Sequence, residues 1–261
     1  MLRTLYIQSV YSYKALFNWL NPPAFVAFIV VTPAIYVAMF GLMGRFARDE
    51  GTATAFIIGM TANGVAQNLT GGVLQSLTNE RNNGTLAFVF ASRGSRLSTF
   101  LTRGVLHVPT AGLSLISCLL TATLFLGADL GPANWGAVLA CYGMMAVSGM
   151  CFALCGGNLA MTVSSFNFVY YGMFSFFFIL TGAIIPRSEL PWGLRVIGEA
   201  MPVTHALAGL RKAYNGAGFE SVGGDLGREA LVALAYVAVG YVLFRIIEVY
   251  QRHTGAYELT R

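Results

Sequence analysis

The chain has 261 residues, of which 56% are hydrophobic and only 10% are charged, with a formal net charge of +5. Soluble domains carry about 25% charged residues, so this composition excludes an ordinary soluble domain and favours an all-α integral membrane protein. The uncharged runs are apolar on every side, which excludes the alternating strands of a membrane β-barrel.

The first 20 residues predict an amphipathic helix that lies in the cytoplasmic interface of the membrane. Apolar side chains recur there at helical spacing, and the basic and polar residues fall elsewhere. The apolar positions are Tyr6, Val10, Tyr13, Phe17 and Leu20. Two prolines, Pro22 and Pro23, then turn the chain into the first apolar run.

Charge-free runs predict six membrane-spanning helices, because a bilayer core needs about 20 apolar residues per helix. The longest run, residues 130–186, contains no Asp, Glu, Lys or Arg and is long enough for two spans. A more polar stretch in its middle, residues 158–167, predicts the turn between them. The predicted spans are residues 23–42, 53–73, 106–126, 135–155, 166–185 and 230–247.

The distribution of charge predicts that both termini face the cytoplasm and that the chain lies in the cytoplasmic (inner) membrane. In this orientation the inside segments carry nine basic and three acidic residues, and the outside segments carry seven basic and eight acidic residues. Basic residues near helix ends stay on the cytoplasmic side. Topology accounts for the excess positive charge, so no basic patch is left for nucleic acid.

The chain forms a single predicted transmembrane domain, residues 1–261, with two long connections. A basic cytoplasmic loop occupies residues 80–103, and an extracellular segment occupies residues 187–228. The second connection is long for a segment without structure of its own. Pro191 and Pro202 divide it, so we expect short helices that return to the membrane interface.

Two side-chain stripes make the spans candidates for a transport pathway. The second span carries polar residues on one face: Asn63, Gln67, Gly71 and Gln75. They line a path or form hydrogen bonds between helices, and the sequence leaves both open. The fifth span carries an aromatic stripe: Phe166, Tyr170, Phe174 and Phe178. This stripe either faces lipid or forms a wall for an apolar substrate.

Ionisable and metal-binding side chains are scarce inside the spans. Only His107 lies well inside one, near its start, which disfavours a proton-driven carrier. Cys151 and Cys155 lie one helical turn apart without nearby His or acid, so packing is favoured over metal binding. Neither lysine belongs to a phosphate-binding P-loop. Any ATP hydrolysis must therefore occur on another chain, and this chain is not expected to be an enzyme.

Several short motifs occur at defined positions relative to the spans. Residues 78–86 read TNERNNGTL after the second span, and residues 181–186 read TGAIIP at the end of the fifth. Leu-Pro follows at 190–191 and Met-Pro-Val-Thr-His at 201–205. With six spans and an amphipathic N-terminus, this order resembles the type 2 ABC-transporter permease family, which includes exporters of antibiotics, lipo-oligosaccharides and teichoic acids.

The resemblance implies that residues after the second span form a cytoplasmic coupling helix that contacts an ABC ATPase subunit. The residues carried over from the family motif are Glu80, Gly84, Thr85 and Leu86. Independently of the family, Leu86, Val89 and Phe90 share one face of a short helix, which suits a hydrophobic groove on a partner. The alternative is an interfacial helix that contacts only lipid headgroups.

The predicted function is that of a permease subunit of an ATP-driven exporter. The cargo would be a hydrophobic or amphipathic drug, natural product or lipid, because a pathway without fixed charge suits such molecules. The resemblance implies a second permease subunit, identical or related, and short extracellular re-entrant helices. ATP and Mg would bind the partner ATPase, and this chain would hold no cofactor. A lipid-linked glycan exporter, or an ATPase-independent carrier or channel, are the alternatives.

Overall fold

The computed structural model describes residues 22–47, 50–82, 104–105, 107–162 and 166–254. Helices dominate this part of the chain, and no strand occurs in it. The predicted interfacial helix at residues 1–20 and most of the loop at 80–103 lie outside the described residues. The helices in chain order are α1 (Pro22–Val26), α2 (Thr32–Ala47), α3 (Glu50–Asn82), α4 (Val108–Leu120), α5 (Trp135–Thr162), α6 (Phe166–Leu180), α7 (Trp192–Ala200), α8 (Thr204–Tyr214) and α9 (Phe219–Thr254).

Two π-helical turns extend the first and third apolar segments. Residues Ala27–Val31 join α1 to α2, and Thr121–Phe125 continue α4. The Ser117 hydroxyl of α4 donates a hydrogen bond of 2.8 Å to the Val30 carbonyl in the first of these turns. Backbone groups in lipid must be satisfied within the protein, so this hydroxyl both pairs a carbonyl of the irregular turn and ties α4 to the first segment.

Helix α3 is the centre of the fold. Its 33 residues correspond to about 50 Å at 1.5 Å per residue, and it packs against α2, α4, α5 and α6. Met60, Leu69 and Leu74 on this helix are fully buried. The buried hydroxyls of Thr61 and Thr78 each donate to the carbonyl four residues earlier, whereas that of Thr70 donates to the Gly149 carbonyl of α5.

Helix α5 forms the second half of the core. The Asn134 side chain accepts a hydrogen bond from the Ala137 amide and so caps the helix N-terminus. The helix packs against α3 on one side and against α8 and α9 on another. The Asn158 amide donates to the Gly240 carbonyl of α9 at 2.9 Å. A Cβ added at Gly240 would lie 3.4 Å from Cys155 Sγ and 3.5 Å from Leu154 Cβ, so α9 passes α5 here at ordinary contact distance.

Four helical segments are long and apolar enough to cross a membrane: Pro23–Phe46, Val108–Phe125, Trp135–Leu159 and Phe219–Ile247. They correspond to the first, third, fourth and sixth predicted spans. The predicted number of six is not confirmed. The predicted second span, residues 53–73, lies within α3, which is not among the four segments that are apolar enough.

The fifth span was predicted at residues 166–185, and its predicted C-terminal end is wrong. Helix α6 has 15 residues and stops at Leu180, after which residues 181–186 are not helical. Gly182 has a φ of 81° there, in the left-handed region that ends a helix. The prediction of a turn at residues 158–167 also began too early, since α5 continues to Thr162.

The segment between the fifth and sixth predicted spans contains two short helices. Helix α7 is mostly exposed, whereas most residues of α8 are buried. Helix α9 begins at Phe219, inside the range 187–228 that was predicted to lie outside the membrane. Helix α8 packs chiefly on α9 and α5.

Candidate functional site

The polar stripe of α3 and the aromatic stripe of α6 meet in the structure. The Gln67 side chain forms a hydrogen bond with Tyr170. One turn further along α3, a Cβ on Gly71 would lie 2.7 Å from Cε2 of the same tyrosine. The absence of a side chain at Gly71 thus makes room for the ring. We call these contacts of Gln67, Gly71 and Tyr170 the α3–α6 seam.

The two remaining amides of the polar stripe lie on either side of the seam. Asn63 is only 4% exposed, and its Oδ1 has no hydrogen-bond partner within the described part of the chain. A buried acceptor without a donor costs about 1–3 kcal/mol. Gln75 is partly buried. Within the described part of the chain, the Asn63 carbonyl is thus the acceptor of this stripe that is buried without a hydrogen-bond partner.

Aromatic rings of α2 and α6 form one cluster beside the seam. It consists of Tyr36, Phe40, Tyr170, Phe174 and Phe178. The rings of Phe174 and Phe178 meet edge to face with centroids 4.4 Å apart, and Tyr36 lies 6.0 Å from Phe178 and 6.3 Å from Phe174. Such geometry is favourable for aromatic pairs. This aromatic cluster is partly buried, so it packs α6 against α2 and still presents ring surface.

The opposite face of α6 is exposed. Phe168, Tyr171 and Phe176 are 71%, 60% and 52% exposed. The aromatic residues of α6 therefore divide between a face that packs on α2 and α3 and a face open to the surroundings. Phe166 begins the helix, and its side chain lies outside the described residues.

The predicted coupling residues lie at the other end of α3 and beyond it. Glu80 belongs to the last turn of that helix, but its side chain is outside the described residues. Gly84, Thr85, Leu86, Val89 and Phe90 are outside them entirely. Their role in contacting an ATPase therefore stays a prediction.

The carboxylate of Glu229, which the sequence predicted only as an acid of the outside segment, is buried and caps a helix. Glu229, on α9, is 0% exposed. Its Oε1 accepts a hydrogen bond of 2.5 Å from the Val203 amide, and its Oε2 accepts bonds of 3.0 Å and 3.1 Å from the amides of His205 and Ala206. These are the otherwise unpaired N–H groups at the start of α8. A carboxylate there also interacts favourably with the helix dipole.

A partly buried arginine makes the complementary contact at the end of another helix. Nη2 of Arg211, on α8, donates to the carbonyl of Gly182 at 2.6 Å and to that of Ala183 at 3.4 Å. These carbonyls follow the end of α6, where a cation is favourable. Burial lowers the pKa of the Arg211 guanidinium, and the positive charge of Arg187 lowers that pKa further.

Two partly exposed ion pairs lie in the same region as Glu229 and Arg211. Arg187 pairs with Glu199 at 2.8 Å, and Lys212 pairs with Asp225 at 2.7 Å. Nε2 of the buried His205 lies 3.0 Å from the Glu199 carbonyl oxygen. The sequence held one signal of the buried carboxylate: Glu229 directly precedes the apolar run of the last span, where an acid is costly unless it has partners.

His107 and the cysteines have structural surroundings. The imidazole of His107 is buried, and its Nε2 lies 3.3 Å from the Ser76 hydroxyl. Cys151 and Cys155 are free thiols. Over the described ranges, no three His, Cys, Asp or Glu side chains group in a way that could hold a metal ion.

Comparison with known proteins finds one family that matches this chain. A family model described as ABC-2 type transporter matches residues 7–215. The match begins before α1 and ends just after α8, so it includes both the α3–α6 seam and the Arg211 contact. No curated protein matches the chain.

Proposed function

The chain belongs to the ABC-2 type transporter family, and we propose that it is the permease subunit of an ATP-driven exporter in the cytoplasmic membrane. Its cargo is a hydrophobic or amphipathic compound, such as a drug, a natural product or a lipid. The observation that supports this cargo class is the α3–α6 seam with the adjoining aromatic cluster. It offers ring surface and neutral amides, as apolar ligand sites typically do.

The charges of the chain support the same cargo class. Residues 51–79 of α3 and the whole of α6 contain no Asp, Glu, Lys or Arg. A small ion or a free nucleotide would find no opposite charge along residues 51–79 or along α6. The unpaired acceptor of Asn63 suits a hydroxyl or amide donor on an otherwise apolar molecule.

We propose that α3 and α6 cross the membrane together with the four more apolar segments. Helix α3 can carry polar residues in the membrane because α2, α4, α5 and α6 pack around it and shield it from lipid. Six spans place both termini and residues 80–103 in the cytoplasm, in agreement with the excess of basic residues there. The short helices α7 and α8 then lie at the outer surface.

The proposed complex contains two permease subunits and two ATPase subunits. A conduit for a bulky molecule needs more helices than one chain provides, so a second permease, identical or related, completes it. The ATPases bind ATP and Mg and contact residues 80–90. Each nucleotide state changes the permease only through its different affinity for the two conformations.

Copurification with an ABC ATPase subunit tests this proposal. In liposomes, the complex should hydrolyse ATP, and amphipathic compounds should stimulate the rate. Replacement of Glu80 or Leu86 by Ala should lower that rate on the order of tenfold, which corresponds to about 1.4 kcal/mol of lost coupling.

A matched control is Asp225→Asn, which also removes one acidic charge but lies near the outer end of α9. It should leave ATP turnover unchanged. Unchanged assembly and turnover in both Glu80→Ala and Leu86→Ala would contradict the coupling assignment. Uphill transport by the purified chain alone would contradict the proposal as a whole.

A further inference from the structure

Helix α8 is mostly buried, and a charged contact near each of its ends joins it to a different part of the chain. Its N-terminus receives the Glu229 carboxylate of α9, and Arg211 near its C-terminus reaches the carbonyls after α6. Val203, which precedes the helix, has a φ of 75°. This conformation is unfavourable for a β-branched residue, so the hydrogen bond from its amide to Glu229 holds a strained backbone in place.

On one side, α8 is joined closely to α9 and α5. A Cβ on Gly209 would lie 3.0 Å from Val222 Cγ1 and 3.4 Å from Cys141 Sγ. The hydroxyls of Tyr214 and Tyr142 are 3.2 Å apart. Together with the Glu229 cap, these contacts extend from the first to the last turn of α8. Cys141 on α5 is covered by α8 and is 0% exposed.

On the other side, α8 is joined to α6 chiefly through Arg211. Arg211 as a residue is partly exposed, its buried Nε has no hydrogen-bond partner among the described residues, and the cation Arg187 lies near it. Glu229, in contrast, is fully buried and accepts three backbone hydrogen bonds. The contact with α6 is therefore the weaker of the two attachments of α8.

We propose that Glu229 is a positioning residue that holds α8, α5 and α9 together as one body, and that this body separates from α6 at the Arg211 contacts when the outer mouth opens. The inference rests on the proposed export function for its second half. The first half, that Glu229 positions α8, does not depend on the export function and is tested without ATP.

The first test measures how fast a membrane-impermeant maleimide labels Cys141 in the full chain, with peptide mass spectrometry as the readout. Glu229→Gln keeps the size of the side chain but removes the charge and turns an amide NH2 toward backbone donors. Labelling should accelerate on the order of tenfold or more, because local opening of α8 becomes easier. Glu229→Asp retains the charge, so its labelling rate should fall between those of Glu229→Gln and the unchanged chain.

Asp225→Asn is the matched control, since it removes the same charge one helical turn away on α9, where the pair with Lys212 is exposed. Its labelling rate should stay within about twofold of that of the unchanged chain. Equal labelling of Cys141 in Glu229→Gln and in the unchanged chain would overturn the positioning role. Buried Cys118 on α4 reports general unfolding and should stay protected throughout.

The second test uses the complex with its ATPase and keeps Glu229 in place, so it is informative even if Glu229→Gln fails to fold. Thr181→Cys introduces a thiol beside the Arg211 contact, at a position that is 3% exposed. Labelling of this introduced thiol should rise when ATP and vanadate are added, whereas Cys141 stays protected.

Each other outcome has a distinct meaning. A rise at Cys141 together with the introduced thiol would show that α8 leaves α5. An active complex in which labelling of the introduced thiol does not rise would exclude separation at Arg211. Either result overturns the second half of the inference. If no complex forms or hydrolyses ATP, the export proposal fails, whereas the first test still decides the role of Glu229.

Discussion

Helices α7 and α8, which the proposed topology puts at the outer surface and which we call the outer layer, satisfy their buried polar groups differently from the α3–α6 seam. In the outer layer, full charges do so: Glu229 caps the start of α8, and Arg211 caps the end of α6. At the seam, neutral groups do so, as in the hydrogen bond of Gln67 to Tyr170. Helix ends leave backbone groups unpaired, and the interior of a long helix does not. Buried charge is therefore placed where helices end.

This difference separates anchoring from cargo contact. A charge that is neutralised by backbone dipoles is fixed in place and contributes little net charge to a passing molecule. Neutral amides and rings can exchange partners at lower cost, because breaking such a contact exposes no ion. The proposed pathway and the proposed outer body thus require different chemistry, and mutations in them should differ in size.

The largest expected effect is at Gly59, where α3 passes the break after α6. A Cβ there would overlap the Ala183 carbonyl oxygen and lie 2.8 Å from the carbonyl carbon. Because backbone cannot yield as a side chain does, Gly59→Ala should lower the free energy of unfolding by about 3 kcal/mol. SDS titration in mixed micelles measures this.

Gly64→Ala on the same helix is the control. Its Cβ would lie 3.4 Å from Pro33 Cβ and 3.6 Å from Cys118 Sγ, ordinary contact distances. Its unfolding free energy should change by less than about 1 kcal/mol. Similar losses of unfolding free energy in both variants would mean that the backbone after α6 does not pack closely against α3 at Gly59. The proposed difference between the two regions would then not hold at this contact.

The next effect is at Arg211. Arg211→Gln removes the cation from the carbonyls of Gly182 and Ala183 and should lower the free energy of unfolding by about 2 kcal/mol. Lys212→Gln changes the adjacent residue of the same charge, which pairs at the surface, and should cost no more than about 0.5 kcal/mol. Equal costs, measured by the same titration, would indicate that the contact after α6 behaves as a surface ion pair.

The sequence predicts the helical class and four of the spans because apolar length is a local property. It does not predict where α6 ends, because the carbonyl of Gly182 after the helix accepts a hydrogen bond from Arg211, which is distant in sequence. It also misjudges α3, whose polar residues are tolerated because other helices cover it. Helix burial is a property of the whole fold, so hydropathy along the chain does not report it.

The candidate site divides in the same way. Helical spacing placed Gln67 and Gly71 on one face of α3, and Tyr170 on one face of α6. That the two faces meet depends on the packing of α3 against α6, which no local pattern encodes. Glu229 was predicted only as an outside acid because its three partners are backbone amides. Every residue except proline has a backbone amide, so the sequence does not show which ones a carboxylate will bind.

A smaller effect is expected at Asn158, within the contact of α5 with α9. Asn158→Leu removes the hydrogen bond to the Gly240 carbonyl and should lower the unfolding free energy by about 1 kcal/mol, as for other interhelical bonds in membranes. Asn167→Leu at the exposed start of α6 is the control and should be neutral. A loss at Asn158 as large as that at Arg211 would remove the distinction between neutral and charged attachment.

The smallest effect on stability is expected at the seam itself. Tyr170→Phe removes the hydroxyl that bonds to Gln67 but keeps the ring against Gly71, so the free energy of unfolding should fall by only about 0.6 kcal/mol. The same variant should change which amphipathic compounds stimulate ATP hydrolysis by the complex, because it leaves the Gln67 amide free for a cargo donor or acceptor. Tyr171→Phe, on the exposed face of α6, should change neither quantity. If both variants altered stimulation alike, lipid contact of α6 would explain the result, and the seam would have no separate part in cargo recognition.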